Sequence, residues 1–95
     1  MEVAKTIAAQ IGNRAFTMIG ATQLIGGENM LAFKVGRNSA GVTKIRVTLE
    51  PTDLYTMEAF KIRGTKVTRV HKIEGVGAEG LLEGIENMTG MVTRL

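Results

Sequence analysis

Apolar residues recur at helical spacing near both ends of the chain and at strand spacing between them. The segment Glu2–Ile11 predicts an amphipathic helix, because Val3, Ile7 and Ile11 stand four residues apart and form one apolar stripe. Gly12-Asn13 follows as a helix-stop signal. A helix of this length is marginal in isolation, so we expect it to pack on a sheet.

A second helix is predicted from Ala78 to Met88, and Gly90 ends it. Its apolar face is formed by Leu81, Leu82, Ile85 and Met88. Gly80 and Gly84 lie in one row of this helix, where each weakens it by about 1 kcal/mol relative to Ala. Their expected use is a close approach of the helix to the sheet. Residues 91–95 are a short tail that is a candidate for a final strand.

The pattern between residues 14 and 36 predicts two strands. Arg14–Gly20 places Phe16 and Met18 on one side, and Met30–Gly36 alternates clearly. Ala21–Asn29 is predicted to be a loop centred on Gly26-Gly27. The two strands would then form an antiparallel hairpin with a long connection.

The segment Val42–Leu49 has the cleanest strand pattern of the chain. Its apolar side is formed by Ile45, Val47 and Leu49, and its polar side by Lys44, Arg46 and Thr48. Pro51-Thr52-Asp53 ends the strand with a turn, since proline cannot donate to a strand ladder.

The next strand, Leu54–Arg63, changes the phase of its alternation near Glu58, which predicts a β-bulge. Gly64-Thr65 then predicts a two-residue hairpin with a type II′ turn. That register places Ile62 opposite Val67, Phe60 opposite Arg69 and Glu58 opposite His71.

These elements predict an α+β fold in one domain over residues 1–95. The expected order is α-β-β-β-β-β-α, a five-stranded antiparallel sheet flanked by an N-terminal and a C-terminal helix. A chain of 95 residues supports one modest core.

Composition removes several classes of protein. The absence of cysteine excludes a disulfide framework, a thiolate metal site and a cysteine nucleophile. No apolar run approaches the roughly 18 residues of a membrane span, and the N-terminus does not have the pattern of a signal peptide. We therefore expect a cytoplasmic protein without a membrane partner.

No catalytic or cofactor site is predicted. Gly75–Gly80 reads G-x-G-x-x-G before a helix, but too little chain follows for a βαβ unit and the nearby glutamates would repel phosphate. His71 has no partners at metal-ligand spacing, and Ser39 lacks the context of a hydrolase nucleophile. Glu58 near His71 is a geometrically allowed acid–base pair, although a surface histidine is the commoner case.

Charge gives the functional hypothesis. The net charge is +3, but residues 34–72 contain nine Lys or Arg against three acids, whereas residues 74–95 contain four acids and one Arg. Such asymmetry is typical of a protein that binds an anionic partner with the middle of its chain. It is also typical of strands whose solvent-facing side is kept charged. The candidate nucleic-acid-binding residues are Lys44, Arg46, Arg63, Lys66, Arg69 and Lys72, with Tyr55 as the candidate stacking platform.

Three segments resemble a group of small proteins from phage and prophage genomes: AKTIAAQIGNRAF, KIRVTLEPTDLYTMEAFKIRG and TGMVTRL. Their shared pattern includes a G-N-(R/K) helix stop, a D-x-Y turn and a K-(I/V)-R-G hairpin, which Lys61–Gly64 matches. The resemblance implies a phage accessory context in the bacterial host cytoplasm, either DNA handling or interference with a host defence or host regulator. It implies no functional residue.

The leading hypothesis is therefore a non-enzymatic accessory protein that binds DNA or RNA through the basic surface of strands three to five. The first alternative is a protein-binding inhibitor of a host factor, which would use a strand edge or the apolar pair Leu24-Ile25. The second is a small-ligand sponge built at an oligomer interface. Exposed strand edges also lead us to expect a homo-oligomer.

Overall fold

A computed structural model describes residues 2–93 and has an α+β fold. The helices are α1 (Glu2–Ile11), α2 (Asn13–Met18) and α3 (Leu81–Thr89), and a 3-10 turn at Ala78–Gly80 precedes α3. The strands are β1 (Thr22–Gly26), β2 (Met30–Lys34), β3 (Lys44–Leu49), β4 (Tyr55–Arg63) and β5 (Lys66–Val76). They form one antiparallel sheet in the order β1-β2-β3-β4-β5. The predicted fold class is confirmed.

The core lies between the helices and one face of the sheet. Alternate residues of the central strands point into it, as the sequence pattern predicted for β3, where Ile45 and Val47 are fully buried. Helix α1 contributes Ile7 and Ile11 to the same core. Phe16 and Phe33 meet edge to face, with ring centroids 5.3 Å apart.

The prediction of a strand over residues 14–20 is wrong, because this segment contains helix α2. Gly12 adopts a φ of 88° and ends α1, and a second helix begins directly after it at Asn13. Ala15 and Ile19 then continue the four-residue spacing of Ile7 and Ile11, and both are buried. Burial along that continued stripe outweighs the short alternation of Phe16 and Met18.

The predicted loop over residues 21–29 is also wrong in part, because it contains strand β1. The first hairpin is therefore β1–β2, joined by residues 27–29, and Gly27 donates to the Met30 carbonyl at 2.9 Å. Strand β1 lies at the edge of the sheet and most of it is exposed, so no burial pattern marks it in the sequence.

The β4–β5 hairpin confirms most of the predicted register. Ile62 pairs with Val67 and Phe60 with Arg69, and Gly64 begins the two-residue turn with a φ of 60°. The pairing of Glu58 with His71 is wrong, because Val70 is an extra residue on β5 that shifts the register by one. Lys72 lies opposite Glu58 instead, and the bulge belongs to β5 rather than to β4.

Helix α3 approaches the sheet closely at a glycine, as predicted. A Cβ placed on Gly84 would lie 2.5 Å from the sulfur of Met57, which is itself fully buried on β4. Gly90 ends the helix in the left-handed conformation with a φ of 72°. Residues 91–93 are not in a strand, and residues 94 and 95 of the predicted final strand lie outside the described residues.

Candidate nucleic-acid interface

The helices cover one face of the sheet, and we call the other side the open face. The strand registers place alternate residues of each strand on it. Five basic side chains of the strands share this face with Glu58 and Glu74, so the strand residues on the open face carry a net charge of three positive units. The five bases are Lys34, Lys44, Arg46, Arg69 and Lys72.

Glu58 is the centre of the open face. It is only 8% exposed although no helix lies above it, because two arginine side chains cover it. Arg46 donates from Nε and Nη2 to Glu58 Oε1 at 3.1 and 2.8 Å, and Arg69 donates from Nη1 to Oε2 at 3.1 Å. One buried carboxylate therefore fixes two guanidinium groups on adjacent sides.

The arginines also set the ionisation of this carboxyl group. Burial by itself raises the pKa of Glu58, but the hydrogen bonds and positive charges of Arg46 and Arg69 outweigh it. The net pKa lies below the ordinary value of 4.5. Glu58 is thus a carboxylate at neutral pH, and its role is to hold the arginines.

Phe60 lies next to this cluster on the open face. The guanidinium carbon of Arg46 stands 5.1 Å from the centroid of the Phe60 ring. A cation over an aromatic ring at this distance is attracted by the ring quadrupole. Arg46 is therefore held by two partners, the Glu58 carboxylate and the Phe60 ring, while its side chain remains 42% exposed.

Lys34 and Lys44 form a directly opposed pair across β2 and β3. In the described part of the chain neither makes an ion pair. Like charges in this position destabilise a sheet, by roughly 0.2–1 kcal/mol. A cavity of about 280 Å³ lies beside them and is lined by Gln23, Ile25, Lys34, Thr43, Lys44 and Ile62.

The structure divides the predicted binding residues between two faces. Lys44, Arg46, Arg69 and Lys72 are on the open face, where Lys72 pairs with Glu74 at 3.6 Å. Arg63 and Lys66 pair with each other at the hairpin tip, on the side of the sheet that carries the helices. They line a separate cavity of about 390 Å³ with Lys61, Thr68 and Val70.

The prediction that Tyr55 is a stacking platform is wrong. Tyr55 points into the core, is 5% exposed and donates its hydroxyl to Gln10 Oε1 at 2.7 Å. Phe60, which has the opposite parity on β4, is the aromatic residue on the open face. Strict alternation along β4 places Tyr55 and Phe60 on opposite faces of the sheet. The pattern was hard to interpret because apolar side chains occupy both faces of this strand.

Lys34 was missed as a site residue, although its signal was present in the sequence. Met30–Gly36 alternates with Leu31 and Phe33 on one side, so Lys34 follows on the opposite side by parity. Its position across from Lys44 depends on the β2–β3 register, which the sequence did not specify.

The glycine-rich turn before α3 is unsuited to phosphate. The Glu79 carboxylate folds back onto it, since a Cβ placed on Gly77 would lie 2.5 Å from Oε1. The adjacent cavity, about 280 Å³ in volume, also includes Glu83 in its lining. Within residues 2–93 no group of three His, Cys, Asp or Glu side chains is placed to hold a metal ion.

Comparisons with family models, curated proteins and solved structures gave no significant match for this chain. Among the described residues, no helix has the length and hydropathy needed to cross a membrane.

Glu58→Gln tests the ionic centre through the pH dependence of stability. The pKa of Glu58 is lower in the folded than in the unfolded protein. The ionised carboxylate therefore contributes fully to stability when the pH is above the pKa of the unfolded protein, and this contribution is lost as the pH falls through the pKa of the folded protein. At neutral pH we expect the free energy of unfolding of the wild type to be about 1 kcal/mol higher than that of the variant. This figure allows for solvent screening of the half-exposed arginines. Denaturant titrations at several pH values should show this difference vanish in acid below pH 4.5. A difference that stays constant across the series would contradict the ionic role.

Charge reversal should separate the two central bases of the open face. Arg46→Glu places a second carboxylate against buried Glu58 and should lower the free energy of unfolding by about 2 kcal/mol. Lys44→Glu, at the neighbouring outward position of β3, places a carboxylate opposite Lys34 and should raise it by about 0.5 kcal/mol. Urea unfolding of both variants measures the contrast. Equal destabilisation by the two changes would show that the Arg46–Glu58 pair and the lysine repulsion are not the controlling interactions.

Proposed function

We propose that this protein binds nucleic acid, without catalysing a reaction, through the open face of its sheet. The observation that carries the proposal is the opposed pair Lys34–Lys44, which lies beside a cavity and has no acidic partner in the described residues. A fold that only needed a soluble surface would gain stability from an acid at one of these positions. An anionic ligand relieves the repulsion.

The surroundings of the pair support a polymer rather than a single small anion. The other three bases of the open face lie on β3 and β5, so the basic side chains extend from β2 to the β5 edge of the sheet. Arg69 and Lys72 are already paired with acids, so their share is smaller than that of the two lysines. Contacts of this kind track a phosphate backbone and do not by themselves read a sequence. In the phage context that the sequence resemblance implies, DNA or RNA handling is the accessory role we propose.

The binding test is a fluorescence anisotropy titration with labelled DNA and RNA across salt concentrations. Removing two phosphate contacts by Lys34→Gln/Lys44→Gln should weaken binding and reduce the slope of log K against log salt by about 1.4 for a single strand or 1.8 for a duplex. The matched control is Lys5→Gln/Arg14→Gln, which removes the same charge from exposed positions on α1 and α2. Its effect on affinity should be small. Absence of binding by the wild type at about 50 mM salt would refute the proposal.

A second candidate function is protein binding at the β1 edge. Leu24 and Ile25 are 46% and 57% exposed on this strand, which has a neighbour on one side only. An exposed apolar edge strand can accept another strand by main-chain hydrogen bonding. The partner would be a host factor or a second copy of this chain.

Self-pairing of β1 is the form of this candidate that can be measured directly. Sedimentation velocity should show a concentration-dependent dimer that Leu24→Lys removes, because an edge lysine blocks strand addition. Val92→Lys is the matched control, since Val92 is 55% exposed and lies outside the sheet. A wild type that is monomeric at all concentrations, or a dimer unaffected by Leu24→Lys, would count against the β1 edge.

A further inference from the structure

The side chain of Arg46 is fixed in place before any ligand arrives. Two of its nitrogens donate to the same oxygen of buried Glu58, and its guanidinium lies over the ring of Phe60. An arginine on a surface usually loses conformational freedom when it binds a ligand, which reduces affinity. Here that freedom is already restricted by partners within the fold, while 42% of the side chain remains accessible.

A fixed, accessible guanidinium plane is a stacking surface for a nucleobase. Bases stack on aromatic side chains and on arginine planes, and the combination with a ring behind the arginine adds a cation–π contribution. A cavity of about 120 Å³ lies at this position, lined by Lys44, Arg46, Phe60, Ile62 and Val67. Val67 is 59% exposed, so apolar surface borders the platform as well.

The phosphate-binding surface adjoins the platform. Lys44 lines both the cavity beside Arg46 and the larger cavity beside Lys34. In the larger cavity Thr43 accepts a hydrogen bond from the Ile62 amide at 3.2 Å, which leaves its hydroxyl hydrogen able to donate. A base on Arg46 would therefore have a site for its own or the next phosphate one side chain away.

This arrangement fits a single strand better than a duplex. In a duplex the base faces are stacked on each other and cannot reach a protein surface, whereas in a single strand they can be splayed out. Duplex grooves admit a helix or a two-stranded ribbon. Lys34, Lys44 and Arg46 lie instead on β2 and β3, with strands on both sides of them.

We infer that the open face binds single-stranded nucleic acid, with one base stacked on the Arg46–Phe60 platform and the adjoining phosphate held by Lys34 and Lys44. This inference rests on the nucleic-acid binding proposed above. It adds the strandedness of the ligand and divides the site into a base position and a phosphate position.

The test compares three labelled probes of about 12 nucleotides: oligo-dT, an abasic strand of equal length and a duplex. The wild type should bind oligo-dT about tenfold more tightly than the abasic strand and more tightly than the duplex. Arg46→Lys keeps the charge and removes the plane, so it should weaken oligo-dT about tenfold and leave the abasic strand unchanged. Lys34→Gln/Lys44→Gln should weaken both strands alike.

A second variant guards against loss of structure in Arg46→Lys. Phe60→Leu keeps the Arg46–Glu58 hydrogen bonds and removes only the ring behind the guanidinium, and it should weaken oligo-dT selectively by a smaller factor. The inference is wrong if the wild type binds the duplex as tightly as oligo-dT or more tightly. It is also wrong if Arg46→Lys and Phe60→Leu weaken the binding of oligo-dT and of the abasic strand equally. Either result would leave the proposal of nucleic-acid binding intact. Failure of the wild type to bind any of the three probes, or an RNA strand of the same length, overturns both.

Discussion

Three short helices cover one side of a five-stranded sheet, and the surface chemistry of the domain depends on that one-sided coverage. Strand alternation sends about half of the side chains to each face, so the central strands must carry residues that tolerate water on the open face. The chain places an ionic cluster there, beside the opposed threonines Thr48 and Thr56. Glu58 is buried without a helix above it, because Arg46 and Arg69 form its cover. A carboxylate with two guanidinium partners is stable in this half-buried position, whereas an unpaired one would be costly.

The central strands and the outer helices were predictable because their patterns are long and their burial is one-sided. Errors arose where a short pattern competed with a longer one. Phe16 and Met18 alternate like a strand, but Ala15 and Ile19 extend the four-residue stripe of α1, and the longer pattern prevails because it fills the core. Strand β1 lacks any burial pattern, and only its pairing with β2 defines it. Pairing is a property of two segments, so one segment cannot reveal it.

The candidate site was predictable to the extent that parity determines it. Lys44 and Arg46 were placed correctly because Ile45 and Val47 identify the buried side of β3. Tyr55 was expected to be accessible but is buried, and Phe60 on the other side of β4 is the aromatic residue of the open face. Apolar residues lie on both faces of β4, and this pattern was interpreted as a change of phase. The residue opposite Glu58 on β5 could not be predicted, since the register depends on the extra residue Val70 on that strand. Basic residues that are close in sequence can lie on opposite faces of the sheet, because alternate residues of a strand point to opposite sides. Arg63 and Lys66 at the hairpin tip are therefore not on the open face.

The two parts of the open face would contribute to binding in different ways. The Lys34–Lys44 repulsion is worth at most about 1 kcal/mol, so its relief cannot supply the affinity by itself. Release of counterions by the basic surface is the larger and salt-dependent source, and it favours any phosphate polymer. Discrimination must then come from a group whose geometry is fixed before binding. Arg46 meets that condition, since Glu58 and Phe60 restrict its side chain in the unbound protein. The buried carboxylate therefore lowers the positive charge of the face by one unit, and in return it fixes the orientation of the side chain that can distinguish a base from a bare phosphate.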